Sequence, residues 1–226
     1  MNHVIIVASG SGTRFGGSVP KQFLPLGESS RPVLMHTVEA FIKAGIDCNN
    51  IKVAISENMA QYWLELCDRF DFRTPSIVFG GKTRFDSVSN ALKDMRCDEQ
   101  DNILIHDGVR PLVSTELINR VIKSLEDNVA VIPATCVTDS LRHIENDGHS
   151  TIVNRDRFRS VQTPQGFKAG LLLKAYQQPY NEAFTDDASV VEFLGQQIHL
   201  IDGETTNLKI TNPVDLIVAR CLLNEL

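Results

Sequence analysis

Residues 3–17 read HVIIVASGSGTRFGG, an apolar run that passes directly into a segment with four glycines among residues 10–17. The apolar part has the length and the Val and Ile content of a buried strand. Glycines let backbone N–H groups approach an anion closely and adopt positive φ, so the following segment suits a polyphosphate. Arg14 and Lys21 add positive charge. The stretch therefore predicts a phosphate-binding loop at the carboxyl end of a first strand, the edge where open α/β sheets bind ligands.

The spacing of this loop excludes the two commonest phosphate-loop motifs. The loop itself contains no Gly-Lys-Ser/Thr, which a Walker loop requires at its end, and its third glycine is one place late for GxGxxG. No acidic residue closes a strand about 20 positions later to bind a ribose. A nicotinamide-dependent oxidoreductase is therefore disfavoured.

Short apolar runs and segments of helical period alternate along the chain. Strands are predicted to begin at residues 3, 51, 76, 102 and 130, with amphipathic helices between them. This pattern predicts a single Rossmann-like three-layer α/β domain over 1–226, with a mainly parallel sheet and helices on both faces. Further along, we expect a helix from residue 168, a strand in 197–203, a short strand at 208–211 and a last helix opened by Asn212 and Pro213.

Residues 138–156 have the pattern of a projecting β-hairpin arm. Two extended segments flank the turn signal Asn146-Asp147-Gly148. Both faces are too polar for a separate core, and an isolated hairpin is only marginally stable in water. We therefore expect a partner subunit to pack against the arm.

Composition limits the classes of partner. A net charge of -6 and a pI near 5.5 argue against nucleic acid or an anionic membrane surface. The start of the chain does not resemble a signal peptide, and no apolar run approaches the roughly 18 residues of a membrane span, so a cytoplasmic protein is expected. The five scattered cysteines contain no CxxC pair and are expected to be buried, reduced thiols.

The segment 106–111, HDGVRP, brings Asp107 and Arg110 to the same sheet edge as the glycine loop. Mg²⁺ prefers one or two carboxylates together with phosphate oxygens, which makes Asp107 the candidate metal ligand. The alternative is that Asp107 and Arg110 only pair with each other. His106 is more typical of a packed residue than of a general base.

Four further motifs supply polar groups. Residues 80–84, GGKTR, with Ser87 can read the edge of a nucleobase, although Gly-Gly before a helix is usually only a turn. The later motifs are QTPQGF at 162–167, TDDAS at 185–189 and NLKIT at 207–211. The alternative interpretations are that Thr185 caps a helix and that Lys209 is a solvated residue on an edge strand.

These motifs, in this order, resemble the cytidylyltransferases that act on 2-C-methyl-D-erythritol 4-phosphate in non-mevalonate isoprenoid biosynthesis. The match runs from Val4 to about Ala219. It implies a fold like that of the nucleotide-diphospho-sugar transferases, and transfer of CMP from CTP to a small polyol phosphate with release of pyrophosphate. It also implies Mg²⁺ as cofactor, with Mn²⁺ as an alternative, and a homodimer whose arm contributes to the neighbouring site.

The resemblance implies roles for individual residues. Arg14 and Lys21 match transition-state stabilisers, Arg155 and Lys209 match residues that position the acceptor phosphate, and Asp107 matches the metal-associated aspartate. The implied nucleotide-binding residues are Ala8, Ser9, Gly10, Ser11, Gly12, Gly81, Lys82 and Ser87. The implied acceptor-binding residues are Asp107, Arg110, Ser140, Arg155, Thr163, Thr185 and Lys209, with Ser140 and Arg155 reaching the partner's site.

The chain departs from the family pattern at two places. Ala8-Ser9 stands where two alanines are common, and Asp139-Ser140-Leu141-Arg142 where DTxK is frequent. These departures affect only fine acceptor selectivity. The nearest alternative is a related cytidylyltransferase that makes CDP-ribitol from ribitol 5-phosphate. A sugar-phosphate nucleotidyltransferase using UTP or dTTP is disfavoured by the later motifs, and an inactive nucleotide-binding regulator by the retained basic and acidic residues.

Overall fold

The computed structural model describes residues 1–10 and 19–223. The described strands are β1 (Asn2–Ala8), β2 (Pro25–Leu26), β3 (Arg31–Pro32), β4 (Ile51–Ile55), β5 (Ser76–Phe79), β6 (Asn102–Asp107), β7 (Ala130–Cys136), β8 (Arg142–Ile144), β9 (Ser150–Ile152), β10 (Arg159–Val161), β11 (Gln165–Lys168) and β12 (His199–Asp202). The described α-helices are α1 (Val33–Lys43), α2 (Glu57–Arg69), α3 (Arg84–Lys93), α4 (Thr115–Ser124), α5 (Ala169–Ala175), α6 (Asp187–Glu192) and α7 (Pro213–Leu223).

A central sheet organises the described residues. Its strand order is β10-β7-β11-β6-β1-β4-β5, with β12 also paired to β7. Strands β6, β1, β4 and β5 run parallel, whereas β11 lies antiparallel between β6 and β7. The carboxyl ends of β1 and β6 therefore meet at one edge of the sheet, as the sequence predicted.

Both faces of the sheet are covered by helices. In β1, Val4 and Ile6 pack into a core with α1, α2 and α4, whereas Ile5 packs into a second core with α3, α5 and α6. Alternate residues of a strand point to opposite faces, so a strand covered on both sides reads as a continuous apolar run. The predicted α/β fold with a mainly parallel sheet and helices on both faces is confirmed.

The last helix begins where the sequence predicts. Asn212 Oδ1 accepts the backbone N–H groups of Val214 and Asp215, and Pro213 is the first helical residue. Because proline lacks the N–H that the first turn leaves unpaired, it suits this position. Helix α7 then packs with Ile210 and Leu26 in a third apolar cluster.

Two local predictions and one alternative interpretation are wrong. Residues 208–211 are not a strand, although the Ile210 N–H donates to the Val109 carbonyl at 2.9 Å. Asp186, not Thr185, caps α6, because the Asp186 carboxylate accepts the Ser189 N–H and the Ser189 hydroxyl lies against the Asp186 N–H. The cysteines, all in the described part of the chain, are free thiols, but only Cys48 and Cys67 are buried.

The predicted hairpin is present as β8 and β9. The two strands pair antiparallel, and Gly148 in the turn has a φ of 87°, which suits glycine. Ile144 and Ile152 project from one face of the hairpin and are 66% and 78% exposed. Within the described ranges, no helix is long and apolar enough to cross a membrane.

Candidate active site

Two adjoining cavities lie at the carboxyl ends of β1 and β6. The larger, of about 450 Å³, is bordered by the end of β1 and by the turn before α3. The smaller, of about 300 Å³, is bordered by the segment before β11 and the start of α6. Arg84, Asp107 and Lys209 line both cavities. The arrangement is one cleft with two compartments and a charged wall between them.

The entry to the glycine-rich loop is anchored by Gln22. Its side-chain amide donates to the carbonyls of Ala8 at 2.7 Å and Gly10 at 3.0 Å, and the residue is 2% exposed. Ala8, Ser9, Gly10 and Lys21, which the sequence analysis placed in the site, line the larger cavity. The predicted residues Ser11, Gly12 and Arg14 lie outside the described residues.

The turn before α3 presents backbone to the larger cavity. Thr83 and Asp86 form a capping box, and a Cβ on Gly81 would lie 2.2 Å from the Asp86 Cβ, so only glycine fits. The Ser87 hydroxyl accepts the Gly81 N–H at 3.1 Å, donates to the Thr83 carbonyl at 2.9 Å and lies 2.8 Å from the Ser9 hydroxyl. Ser87 therefore holds the turn from behind, while Gly81 and Lys82 line the cavity.

Asp107 is buried in the wall and surrounded by three cations. Its carboxylate lies 2.9 Å from Lys209 Nζ, 3.3 Å from Arg110 Nε and 3.6 Å from Arg84 Nε. Burial alone would raise the pKa of Asp107, but Arg84, Lys209 and Arg110 together hold it well below its usual range. The carboxylate is thus ionised, and the wall carries more positive than negative charge.

His106 has both ring nitrogens occupied. Nε2 lies 3.1 Å from the Arg110 carbonyl, which only accepts, so the proton is on Nε2. Nδ1 then accepts from the Thr163 hydroxyl at 3.0 Å, and that hydroxyl in turn accepts the Asp107 N–H at 3.1 Å. Burial lowers the pKa of His106 to about 4. The imidazole is therefore neutral and orients Thr163 and Asp107, in agreement with the prediction that His106 is a packed residue.

Asn207 fixes the segment that carries Lys209. Its buried side-chain amide donates to the Thr163 backbone carbonyl at 2.8 Å, and the backbone carbonyl of Asn207 accepts from Arg110 Nη1 at 2.8 Å. These bonds tie residue 207 to the ends of β6 and of the segment before β11. Lys209, two residues on, is thereby brought to Asp107.

The smaller cavity gathers the predicted acceptor residues. Arg110, Thr163 and Thr185 line it together with Asp107 and Lys209. In the described part of the chain, Ser140 and Arg155 line neither cavity; they lie at the two ends of the arm, where the Arg155 guanidinium contacts the Thr138 carbonyl. The pairing of Asp107 with Arg110 is real but does not remove either residue from the cleft.

Three residues of this site received no individual role from the sequence, although Arg84 and Asp187 belong to the motifs GGKTR and TDDAS. Arg84 lines both cavities, Gln22 anchors the loop entry, and Asp187 binds Arg84 at 2.6 Å. Arg84 follows the predicted Gly80-Gly81 turn and Gln22 follows Lys21, so proximity to predicted residues was the available signal. Asp187 stands in the TDDAS motif, but nothing there indicated its partner, which is 103 positions away.

The cleft is suited to two anions side by side. Lys21 and Lys82 line the larger compartment, Arg110 the smaller, and Arg84 and Lys209 both. Fixed cations and backbone N–H groups stabilise phosphate charge without rearranging during a reaction. The geometry therefore favours transfer between two phosphorylated molecules.

Comparison with known proteins identifies the family. The family model described as 2-C-methyl-D-erythritol 4-phosphate cytidylyltransferase matches residues 2–225. The chain belongs to this family. The resemblance drawn from the motifs is confirmed, as is the prediction that the chain is an enzyme of the cytidylyltransferase class.

Relatives of this family match over nearly the whole chain. A 2-C-methyl-D-erythritol 4-phosphate cytidylyltransferase of Phocaeicola vulgatus is 44% identical over 222 residues, covering 98% of this chain and 99% of the relative. One of Bacteroides thetaiotaomicron is 45% identical, with 97% and 98% covered. The structure also resembles that of 4-diphosphocytidyl-2C-methyl-D-erythritol synthase from Anaerococcus prevotii, with a TM-score of 0.82, 30% identity and 99% and 98% covered.

Proposed function

We propose that this member of the cytidylyltransferase family transfers CMP from CTP to 2-C-methyl-D-erythritol 4-phosphate. The products are 4-diphosphocytidyl-2-C-methyl-D-erythritol and pyrophosphate. The observation that carries the proposal is the cleft with two compartments, whose shared wall of Arg84, Asp107 and Lys209 lies where two phosphates would meet. Membership of the family supplies the identity of the two substrates.

The larger compartment would hold CTP. Gly81 and Lys82 line it together with Ala8 and Ser9 at the loop entry. A nucleobase edge needs such fixed donors and acceptors, and a triphosphate needs glycine-loop N–H groups and a cation such as Lys21. The nucleoside would thus lie beside the turn before α3, with its phosphates directed to the loop.

The smaller compartment would hold the acceptor. Arg110 and Lys209 offer cations for its phosphate, and the Thr185 hydroxyl suits a polyol. An oxygen of that phosphate attacks the α-phosphorus of CTP. A new P–O bond forms, the bond from the α-phosphorus to the bridging oxygen breaks, and pyrophosphate leaves with the electron pair.

This nucleophile needs no general base. The second pKa of a phosphate monoester is about 6, so the attacking oxygen is ionised near neutral pH. That fits a site in which His106, the imidazole beside Asp107, has both nitrogens engaged. Catalysis then rests on positioning and charge stabilisation. Lys21 and Lys209 supply charge near the reacting phosphates, and Arg14 is proposed to join them.

We propose Asp107 as the protein ligand of Mg²⁺, with Mn²⁺ as an alternative. The described residues contain no group of three His, Cys, Asp or Glu side chains that could hold a metal, so a single carboxylate would act together with substrate phosphates. Mg²⁺ is commonly bound in this way. When bound, it supplies Lewis-acid stabilisation of phosphate charge. Asp107, ionised and at the shared wall, fits that role.

We further propose a homodimer formed through the arm at about 138–156. The exposed Ile144 and Ile152 provide an apolar face for a second copy, and Ser140 and Arg155 are available to reach the partner's cleft. The single-domain organisation and the cytosolic location stay predictions from the sequence.

A coupled assay of pyrophosphate release tests the substrate assignment. Purified protein, CTP and Mg²⁺ are mixed in parallel with 2-C-methyl-D-erythritol 4-phosphate and with ribitol 5-phosphate. We expect release only with the first acceptor. Release only with ribitol 5-phosphate would show that ribitol 5-phosphate is the acceptor. Release with neither compound would contradict the proposed transfer.

A further inference from the structure

Arg84 occupies a position that its own helix does not fix. It is the first residue of α3, its side chain is 28% exposed, and it lines both compartments of the cleft. Its Nε lies 3.6 Å from Asp107, a weak contact for an ion pair. A long side chain in this setting loses considerable rotamer freedom when held in one orientation. Something else must therefore hold the guanidinium.

The anchor is Asp187, the first residue of α6. Its side chain is fully buried, and one carboxylate oxygen lies 2.6 Å from Arg84 Nη2. The other oxygen accepts the hydroxyl of Tyr176 at 2.6 Å. Both oxygens of a buried carboxylate are thus engaged, which offsets the loss of its hydration. Arg84, Asp187 and Tyr176 form one chain of charge-assisted hydrogen bonds.

The hydrogen bonds between Arg84, Asp187 and Tyr176 are strengthened by the apolar side chains that surround them. The Tyr176 ring stacks on Phe85 with ring centroids 4.7 Å apart, and the Phe184 ring also stacks on Phe85, at 5.5 Å. Hydrogen bonds between charged or polar groups are stronger where water is excluded. Burial, together with Asp187, raises the pKa of Tyr176 well above its usual value, so its hydroxyl stays a donor.

We propose that Asp187 and Tyr176 are positioning residues, which hold the Arg84 guanidinium at the wall between the two compartments. The inference rests on the proposed function. Without Asp187, the charge of Arg84 would be drawn fully to Asp107 and would compete with Lys209 for that carboxylate. With Asp187 in place, Arg84 is directed to the reacting phosphates and Asp107 keeps its contact with Lys209.

A double-mutant cycle tests this role. Tyr176→Phe removes one hydroxyl and keeps the stacked ring. We expect kcat to fall roughly five- to twentyfold, with the KM for CTP within about twofold, because one hydrogen bond to a charged group is lost and the nucleotide contacts remain. Arg84→Ala should lower kcat about a hundredfold or more. In the Arg84→Ala background, Tyr176→Phe should change kcat by less than about twofold, since coupled residues are not additive.

Tyr180→Phe is the matched control. Tyr180 packs on Phe85 at 5.9 Å within the same aromatic cluster, and the residue is 48% exposed. This variant should keep wild-type kcat. Equal losses from Tyr176→Phe in both backgrounds would show a general structural effect and overturn the positioning role. If the wild-type protein showed no turnover, the proposed function would be contradicted together with this inference. If the enzyme were active but the effects of Tyr176→Phe and Arg84→Ala on kcat were additive, only this inference would be contradicted.

Discussion

Gln22 links the start of the glycine-rich loop to the following segment, and its replacement should affect stability and nucleotide binding together. The Gln22 amide donates to the Ala8 and Gly10 carbonyls, and Ala8 is buried whereas Gly10 is exposed. In Gln22→Met, a near-isosteric change, the Gly10 carbonyl can turn to water but the Ala8 carbonyl cannot. An unsatisfied buried acceptor costs about 1–3 kcal/mol, so we expect a loss of about 2 kcal/mol in the free energy of unfolding.

Gln22→Glu is a sharper variant of the same position. At pH 7.5 it directs a carboxylate at two carbonyl oxygens, so its unfolding free energy should lie below that of Gln22→Met by about 1–2 kcal/mol. Acidification protonates the carboxyl and restores one donor, so this variant should gain stability relative to Gln22→Met as the pH falls from 7.5 to 5.0.

Urea unfolding of the three proteins at both pH values measures the differences in stability. Calorimetric titration with CTP measures the affinity of each protein for the nucleotide. We expect Gln22→Met to bind CTP roughly tenfold more weakly, because the loop entry must then be ordered on binding. The reasoning would be refuted if the Met and Glu variants had equal stability at both pH values, or if either bound CTP as tightly as the wild type.

Three further predictions concern charge, pH and assembly. Lys21→Ala should lower the rate of pyrophosphate release about a hundred- to thousandfold, and activity within tenfold of wild type would contradict its role. The pKa of about 4 for His106 means that the unfolded chain binds a proton that the folded chain does not between about pH 4 and 6.5. The contribution of His106 to the free energy of unfolding is therefore fully present above about pH 6.5 and falls by about 2 kcal/mol between pH 7.5 and 5.0. In urea titrations, His106→Gln should largely remove this dependence on pH. Ile144→Asp combined with Ile152→Asp should give a monomer by light scattering with less than a tenth of wild-type activity; a fully active monomer would contradict the shared site.

Local signals explain which parts of the fold could be predicted. Strands β1, β4, β5, β6 and β7 are mainly apolar runs, and the hairpin is marked by its Asn-Asp-Gly turn. Strands β10 and β11 were not predicted, because they are short and mixed in composition. Their pairing with β7 and β6 is determined by residues distant in the sequence. Residues 208–211 have strand-like composition, but the segment makes a single backbone hydrogen bond to Val109. It is held in place by the side chain of the preceding residue, Asn207, which bonds to Thr163.

The site shows the same division. Ala8, Lys21 and Asp107 could be proposed from motifs that follow predicted strands, and Lys209 from the family resemblance; all four line the larger compartment. The contact between Arg84 and Asp187 could not, because nothing in the local sequence reports a pairing across 103 positions. Motif residues thus indicate the chemistry, whereas the groups that orient them are determined by tertiary packing.

The product of the reaction tests the central claim most directly. The protein is incubated with CTP, Mg²⁺ and 2-C-methyl-D-erythritol 4-phosphate, and the mixture is examined by phosphorus NMR and mass spectrometry. We predict two coupled diphosphate resonances, a mass equal to CMP joined to the acceptor less water, and one equivalent of pyrophosphate. Unchanged CTP, or CMP and pyrophosphate without a cytidine-linked diphosphate, would contradict the account.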